Sequence, residues 1–233
     1  RNSLTSFRRG NPFLDPTFTT ALEIDYLKRF KKLTLNTSIF YRQSDGNIES
    51  ITEETGEIVD LIIGNDANSP LLQVPVLESY PINLSSNKRI GSELSLTYTP
   101  SRSVRLNASF TINSSSNRGS YENQDFDSDD TNWSTRFNGF IRLPKDYSLQ
   151  FFGFIRGPSK SAFSKRKAFG FVTSAIQKSI LDKKGTISFK ISDVFNSSKY
   201  KYENFRDTFR SEGEGRWREP TYILTFNYRF NDN

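Results

Sequence analysis

The side chains best suited to binding chemistry in this sequence are four neighbouring aspartates, Asp125, Asp127, Asp129 and Asp130. Carboxylate oxygens are preferred Ca²⁺ ligands, and alternating acidic residues begin the calcium loop of EF-hand proteins. That loop also needs a glycine and a distal glutamate, which this segment lacks. The segment is therefore an incomplete calcium candidate, and a solvated acidic loop is the alternative interpretation.

Catalytic chemistry is restricted by composition. The 233 residues contain no His and no Cys, which excludes Ser-His-Asp and Cys-His catalysis within this sequence, and zinc bound through His or Cys. Acid–base catalysis would need a carboxylate pair, and Glu23 with Asp25 are alternate residues of one predicted strand. We therefore expect no enzymatic activity and no cofactor.

Basic residues slightly outnumber acidic ones, 32 to 26, which gives a net charge of +6. Lys160, Lys165, Arg166 and Lys167 cluster in one predicted loop, where they could meet lipopolysaccharide phosphates or an anionic ligand. An ordinary solvated loop is the alternative. The other basic residues are dispersed, so we expect no nucleic-acid partner.

The segment Thr221–Phe230 carries the clearest structural signal near the end of the chain. Its alternate residues Tyr222, Leu224, Phe226 and Tyr228 are apolar or aromatic, and the residues between them are mostly polar. Side chains of a strand alternate between its two faces. About ten residues with an apolar face, a polar face and aromatics at both ends are typical of a strand that spans a membrane as part of a β-barrel.

No part of the sequence approaches the ~18–20 apolar residues that a membrane-spanning helix needs. Alternation like that of the last segment recurs along the chain and predicts about nine antiparallel strands in an all-β protein. The apolar side of these strands carries almost no charge. The residues predicted to face lipid are Leu22, Ile24, Leu35, Ile39, Leu94, Leu96, Leu106, Phe110, Phe137, Ile141, Phe151, Phe189, Leu224 and Phe226.

Charged residues alternate with these apolar ones and are expected to face a water-filled lumen, since a charge toward lipid costs ~2–4 kcal/mol near the midplane. The predicted lumen-facing residues are Glu23, Asp25, Arg105, Arg136, Arg142, Arg156 and Lys190. Aromatic residues near the strand ends predict a girdle at the membrane interfaces rather than a ligand-stacking surface. They are Tyr26, Tyr41, Tyr98, Trp133, Tyr222 and Tyr228.

Short turns and long polar connectors alternate along the chain, as in outer-membrane barrels with periplasmic turns and extracellular loops. We predict an extracellular loop at 1–16, barrel strands over 17–230 and a periplasmic tail at 231–233. The long extracellular loops are predicted at 44–87, 114–131, 157–166 and 197–215. Within the first of them, short apolar pieces at 58–63 and 71–77 could extend the strands as a hairpin beyond the main sheet. Because single-chain bacterial barrels usually have an even number of strands, about nine strands favour the C-terminal part of a larger barrel.

Four motifs resemble those of one family, the C-terminal barrel of TonB-dependent outer-membrane receptors, in the branch described as an outer-membrane β-barrel family. They are Gly10–Pro16 (GNPFLDP), Gly91–Tyr98 (GSELSLTY), Ser192–Asn196 (SDVFN) and Tyr228–Phe230 (YRF). They cover most of the chain in the family's order.

The resemblance implies a barrel of about 22 strands closed by an N-terminal plug. It implies a location in the outer membrane of a Gram-negative cell, with the lipid bilayer and lipopolysaccharide as surroundings. It also implies import of a ligand that the sequence does not identify. The plug, the remaining barrel strands and the segment that contacts TonB would lie outside this sequence.

Two alternatives remain open on the sequence. A receptor-like barrel could serve as a structural or docking subunit beside other outer-membrane subunits, which the long loops favour. A soluble all-β carbohydrate-binding module would also use many aromatic residues and polar strands.

Overall fold

The computed structural model of this chain describes residues 5–62, 71–122, 124–205 and 210–230. Within these ranges the backbone forms strands, turns and irregular segments and contains no helix. Accordingly, none of the described residues belongs to a helix long and apolar enough to cross a membrane. The all-β prediction is confirmed, in keeping with the many Phe and Tyr residues, which favour strands.

Sixteen strands occur in the described residues, and several are much longer than predicted. They are β1 (Ser6–Arg8), β2 (Phe18–Arg29), β3 (Leu33–Ile62), β4 (Leu71–Ser101), β5 (Val104–Arg118), β6 (Ser120–Tyr121), β7 (Gln124–Asp125), β8 (Ser128–Leu143), β9 (Tyr147–Arg156), β10 (Ser159–Lys160), β11 (Ser164–Arg166), β12 (Phe169–Ile180), β13 (Gly185–Ser192), β14 (Lys199–Phe205), β15 (Arg210–Arg216) and β16 (Thr221–Tyr228).

The chain divides into two compact units. The unit that we call the hairpin unit comprises Arg1–Thr20, Gln43–Asn87 and Asn117–Phe126. The other, the sheet unit, comprises Ala21–Arg42, Lys88–Ser116 and Asp127–Asn233.

A single main sheet organises the sheet unit, with strand order β16-β13-β12-β9-β8-β5-β4-β3-β2. Strands β8, β9, β12, β13 and β16 pair antiparallel with their neighbours. The β8–β9 connection is a tight turn in which Lys145 and Asp146 both have φ of 60°. Positive φ at both central residues is typical of the type I′ turn, whose twist matches that of paired strands.

The main sheet is open in the described part of the chain, because β2 and β16 stand at its two edges. The sequence predicted that these strands belong to a closed barrel. Because the described sheet is open, barrel closure and the number of strands in the complete barrel stay predictions. Strand β2 is solvent-exposed along its whole length, including Leu22, Ile24 and Tyr26. An exposed apolar edge of this kind is able to pair with further strands.

A second, four-stranded sheet in the sheet unit has the order β10-β11-β14-β15. It is formed by the segments predicted as long loops at 157–166 and 197–215, whose described residues therefore contain strand rather than only coil. The underlying pattern is weakest in Arg210–Arg216, which has charged and polar residues or glycines on both faces. The period-two apolar signal by which strands were recognised is missing there.

In the hairpin unit, β3 neighbours β4 and β1 pairs parallel with β4, with Phe7 opposite Glu78. Ile51, Val76, Ile82 and Phe126 are buried there and form a small core. The segment predicted as loop 44–87 is thus strand wherever it is described, because it has its own apolar residues to bury.

Two other predicted loops also contain strand. The predicted loop 1–16 contains β1, and the loop 114–131 contains β6, β7 and the ends of β5 and β8. The placement of these segments outside the membrane stays a prediction. The predicted periplasmic tail, 231–233, lies outside the described residues.

A close contact between β3 and β4 fixes their packing in the sheet unit. The Phe40 ring is buried against Gly91, on the side of the sheet opposite to its neighbour Ile39. A Cβ atom at Gly91 would lie 2.5 Å from the Phe40 ring and 2.6 Å from the backbone oxygen of Ile112. The glycine of the GSELSLTY motif is therefore required by close approach of ring and backbone.

Candidate functional site

The two faces of the main sheet differ sharply in chemistry. Register pairs Ile141 with Leu149 and Ile176 with Phe189, so these side chains share one face, which we call the apolar face. All the residues predicted to face lipid lie on this face. They are Leu22, Ile24, Leu35, Ile39, Leu94, Leu96, Leu106, Phe110, Phe137, Ile141, Phe151, Phe189, Leu224 and Phe226.

The opposite side of the sheet, the polar face, carries the residues predicted to face a lumen: Glu23, Asp25, Arg105, Arg136, Arg142, Arg156 and Lys190. The sequence thus sorted both sets correctly between the two sides of the sheet. Contact of one side with lipid and of the other with a lumen stays a prediction.

The six aromatic residues predicted as a girdle also lie on the apolar face, in two groups. Tyr26, Tyr98 and Tyr228 are near the tight turns, and Tyr228 pairs with Gly185 directly after one of them. Trp133 and Tyr222 lie nearer the other strand ends, where Trp133 stacks on Phe110 with ring centroids 6.3 Å apart. Tyr41 lies inside the long strand β3, beside Arg42, the last β3 residue of the sheet unit. Two aromatic rows that bound an apolar band are typical of a membrane-spanning sheet.

A shallow cavity of about 460 Å³ lies along the polar face. The Asn107 side chain donates a hydrogen bond to the Asn138 side chain at 2.9 Å and accepts one from the Thr97 hydroxyl at 3.0 Å. Arg105 and Lys190 also line this cavity. Hydrogen-bonded amides flanked by cations form a hydrophilic wall that can contact water, another polar protein surface or an anion.

The polar face also carries an aromatic cluster of Phe152, Phe154, Phe169 and Phe171, with ring centroids 5.9–6.5 Å apart. Arginine guanidinium carbons lie over two of the rings. Arg136 is 5.3 Å from the Phe154 centroid and Arg156 is 5.7 Å from that of Phe169. Sequence reasoning missed this cluster, although Phe152/Phe154 and Phe169/Phe171 repeat with period two on the polar side.

The candidate calcium ligands do not assemble into a site. No group of three or more acidic side chains in the described residues is arranged to hold a metal ion. Strand β8 begins at Ser128, so Asp129 and Asp130 point to opposite faces instead of wrapping around an ion. Asp125 and Asp127 are exposed, and Asp130 accepts a hydrogen bond from the Lys160 backbone at 3.0 Å. Three of the four aspartates thus lie in strands β7 and β8 rather than in one acidic loop.

The acidic pair Glu23 and Asp25 does not form a catalytic dyad either. Glu23 forms an exposed ion pair with Arg42 at 3.7 Å, and Asp25 is exposed.

The SDVFN motif forms a buried cradle around Asp193, directly after β13. The Asp193 carboxylate accepts hydrogen bonds from the backbone N–H groups of Ser197 at 2.8 Å and Ser198 at 2.9 Å. Burial raises the pKa of Asp193, but these hydrogen bonds outweigh burial and hold the pKa below its ordinary value. The motif therefore locks the chain as it leaves the main sheet.

The GNPFLDP motif is held in the hairpin unit by two asparagines. The Asn11 amide donates to the Pro81 oxygen at 3.0 Å. Asn83 accepts from the Asp15 N–H at 2.8 Å and donates to the Asp15 oxygen at 2.9 Å and to the Gly46 oxygen at 2.8 Å. Asn83 thus fixes the segment before β2 against β3 and β4 of this unit.

Comparison with known proteins agrees with the geometry. The family model described as "Outer membrane protein beta-barrel family" matches residues 1–228. No curated protein and no solved structure matches the chain. Because the family match covers nearly the whole chain, the two-faced sheet and its aromatic rows have a direct explanation: the chain belongs to the outer membrane protein β-barrel family, and its place is the outer membrane.

Proposed function

We propose that this chain is the C-terminal part of a TonB-dependent receptor that imports a ligand across the outer membrane of a Gram-negative cell. Its partners would be the lipid bilayer, lipopolysaccharide, a plug and further barrel strands, and TonB itself. We further propose that it catalyses no reaction.

The unpaired edges of the main sheet carry this proposal. In hydrocarbon, an unpaired backbone N–H or C=O group costs several kcal/mol, so open sheet edges do not occur there. Strands β2 and β16 each have only one neighbour in the main sheet among the described residues. An outer-membrane sheet of this kind needs additional strands on both sides, as the C-terminal part of a larger barrel would have.

The dimensions of the apolar face support the same proposal. Trp133 and Leu143 are ten residues apart on β8, with Leu143 at the tight turn. Ten residues span about 33 Å of strand, or about 25 Å along the membrane normal at a tilt of about 40°. That distance equals the apolar band of outer-membrane barrels, about 25 Å.

The gene region upstream of Arg1 tests the barrel part of the proposal. We expect it to encode a plug domain and about a dozen further strands. A protein in which neither precedes this chain would contradict the proposal. TonB dependence is tested separately, by measuring periplasmic accumulation of a ligand in cells with and without TonB.

A docking subunit of an outer-membrane complex is the second candidate. Exposed aliphatic residues in the hairpin unit favour it, since Ile58, Ile62 and Leu71 are 62%, 67% and 64% exposed. Clusters of this kind often mark protein interfaces. Purification from native membranes with a stable stoichiometric partner, together with no ligand uptake, would favour this function. The soluble carbohydrate-binding module loses its support, because the family is one of outer-membrane proteins.

A further inference from the structure

A cavity of about 570 Å³ in the sheet unit is lined by both of its sheets. The main sheet contributes Phe154 and Phe169 from its polar face, and the segments of the second sheet contribute Tyr200, Tyr202 and Trp217. Five aromatic side chains around one cavity provide flat apolar surfaces on several sides. Such surfaces bind the faces of ring-shaped ligands.

The two tyrosines are held in place before any ligand binds. Tyr200 pairs with Gly215 and Tyr202 with Gly213 across β14 and β15. A Cβ atom at Gly215 would lie 2.2 Å from the Tyr200 ring, and one at Gly213 would lie 2.5 Å from the Tyr202 ring. The rings therefore lie across the glycines, nearly parallel to each other at 18° and 6.4 Å. A platform ordered in advance loses little entropy when a ligand stacks on it.

Two of the three cations that line the cavity, both arginines, have no acidic partner in the described part of the chain. Arg156, Arg166 and Lys201 contribute its cations, and no Asp or Glu is among its described lining residues. Lys201 pairs with Glu214 at 2.7 Å, but neither arginine forms an ion pair within the described part of the chain. The Nε donor of Arg156 is buried and has no hydrogen-bond partner there. A buried donor without an acceptor is costly unless a ligand supplies one.

A neighbouring cavity shows the contrast. It measures about 770 Å³ and is lined by acidic as well as basic residues. Two of its cations have acidic partners, because Arg210 contacts Glu203 and Lys201 contacts Glu214. The two cavities share Arg166 and Lys201, but acidic residues line only the larger of these two, and Arg156 lines only the aromatic one.

We propose that the aromatic cavity binds a small organic acid in which one or more rings with an apolar face, aromatic or sugar, carry a carboxylate. Arg156 and Arg166 would hold the carboxylate, since guanidinium groups match carboxylates with paired hydrogen bonds. Tyr200, Tyr202 and Trp217 would stack on the rings. The volume suits a ligand of about two or three rings. This inference rests on the proposed import function, because it assigns the class of ligand that the receptor would take up.

The proposal is tested by calorimetry, which measures the binding of acidic ligands to the full protein purified from outer membranes in detergent. Two acids represent the two sources of such chemistry: trigalacturonate for acidic sugars, and 6-hydroxy-2-naphthoate for aromatic acids. Their neutral counterparts are galactotriose and 2-naphthol. We expect at least one acid to bind about tenfold or more tightly than its counterpart, and the pair that shows the difference identifies the source. Equal binding of acid and counterpart, or no binding of either acid, would overturn the proposal.

Substitutions locate the site. Arg156→Gln should weaken binding of the acid about 10- to 100-fold and leave the neutral counterpart within about twofold. Tyr202→Ala should weaken both about 2- to 10-fold. Arg142→Gln is the matched control, because Arg142 lies over Phe140 at 5.7 Å, as Arg156 lies over Phe169, but does not line the cavity. Equal loss in Arg142→Gln and Arg156→Gln would assign binding to general charge and refute the site.

The heat-modifiable mobility of each variant on gels shows that it is folded, so a loss of binding is not a loss of structure. Measuring both ligand binding and ligand uptake distinguishes a wrong cavity assignment from a wrong import function. Uptake that depends on TonB without binding of either acid would refute the cavity alone. Binding of an acid without any uptake would refute import and keep the site.

Discussion

The Lys178 ammonium lies 4.7 Å from the centre of the Tyr147 ring, and the two residues are cross-strand partners on the apolar face. Lys178 is a cation on a face built mainly from apolar and aromatic residues. It lies beside the tight turn, where a long side chain can reach interfacial water while its methylenes stay in the apolar layer. The pairing therefore predicts one membrane boundary at this row of residues.

A charge placed deeper on the same face should be costly. Phe151 is four residues beyond Tyr147 on β9, about 10 Å deeper along the membrane normal. Phe151→Lys should therefore lower the free energy of unfolding in lipid vesicles by about 2–4 kcal/mol. Gln150→Lys, on the polar face, is the control and should change it by less than about 1 kcal/mol. Comparable losses in both variants would mean that the apolar face does not meet lipid.

The Asp193 cradle predicts a specific pH dependence. Burial raises the pKa of Asp193, but hydrogen bonds from Ser198 and Ser197 lower it below its ordinary value of about 3.9. A pKa lower in the folded protein stabilises the fold above that ordinary value. The stabilisation is lost as the pH falls through the folded-state pKa. Urea titrations should show that Asp193→Asn costs about 1.5–3 kcal/mol at pH 7.

The difference between the wild type and Asp193→Asn should shrink below about pH 4. A difference that stays constant from pH 7 to pH 2.5 would show that the carboxylate charge does not stabilise the cradle.

Gly91 predicts a steric effect. Gly91→Ala should place a Cβ atom against the Phe40 ring and the Ile112 backbone, and should cost about 1–3 kcal/mol of folding free energy. Gly10→Ala is the control, because nothing lies within 4 Å of its Cβ position. Thermal unfolding of the two variants in the same detergent measures the effect. Phe40→Leu should only partly rescue Gly91→Ala, since the backbone contact remains.

Asn83 predicts a local effect in the hairpin unit. Asn83→Ala removes three hydrogen bonds that hold Asp15 and Gly46. Limited proteolysis should then cleave residues 8–16 faster, because local opening of this segment costs less free energy. The control is Asn36→Ala, at an exposed position of β3 outside the hairpin unit. An unchanged cleavage rate at 8–16 in Asn83→Ala would show that other contacts hold the segment.

The sequence alone was sufficient for the all-β class, the sorting of residues such as Phe151 and Arg136 to opposite faces, and the location in the outer membrane. The physical reason is that a strand has an exact period of two, so alternation in the sequence is alternation in space. The four motifs indicated the outer-membrane β-barrel family, which the match over residues 1–228 confirmed, while the TonB-dependent receptor stays a proposal.

Only the tertiary structure revealed the second sheet, which the predicted loops 157–166 and 197–215 form, and the cavity between the two sheets. Segments such as Arg210–Arg216 have no apolar alternation, so their pairing depends on a partner strand that no local pattern encodes. The same holds for chemistry that depends on proximity: Arg156 and Tyr202 are distant in sequence and line one cavity, while the four aspartates are adjacent in sequence and do not form a site. The position of a residue in a strand determines on which face of the sheet its side chain lies. The packing of strands from distant parts of the sequence determines which other residues that side chain contacts.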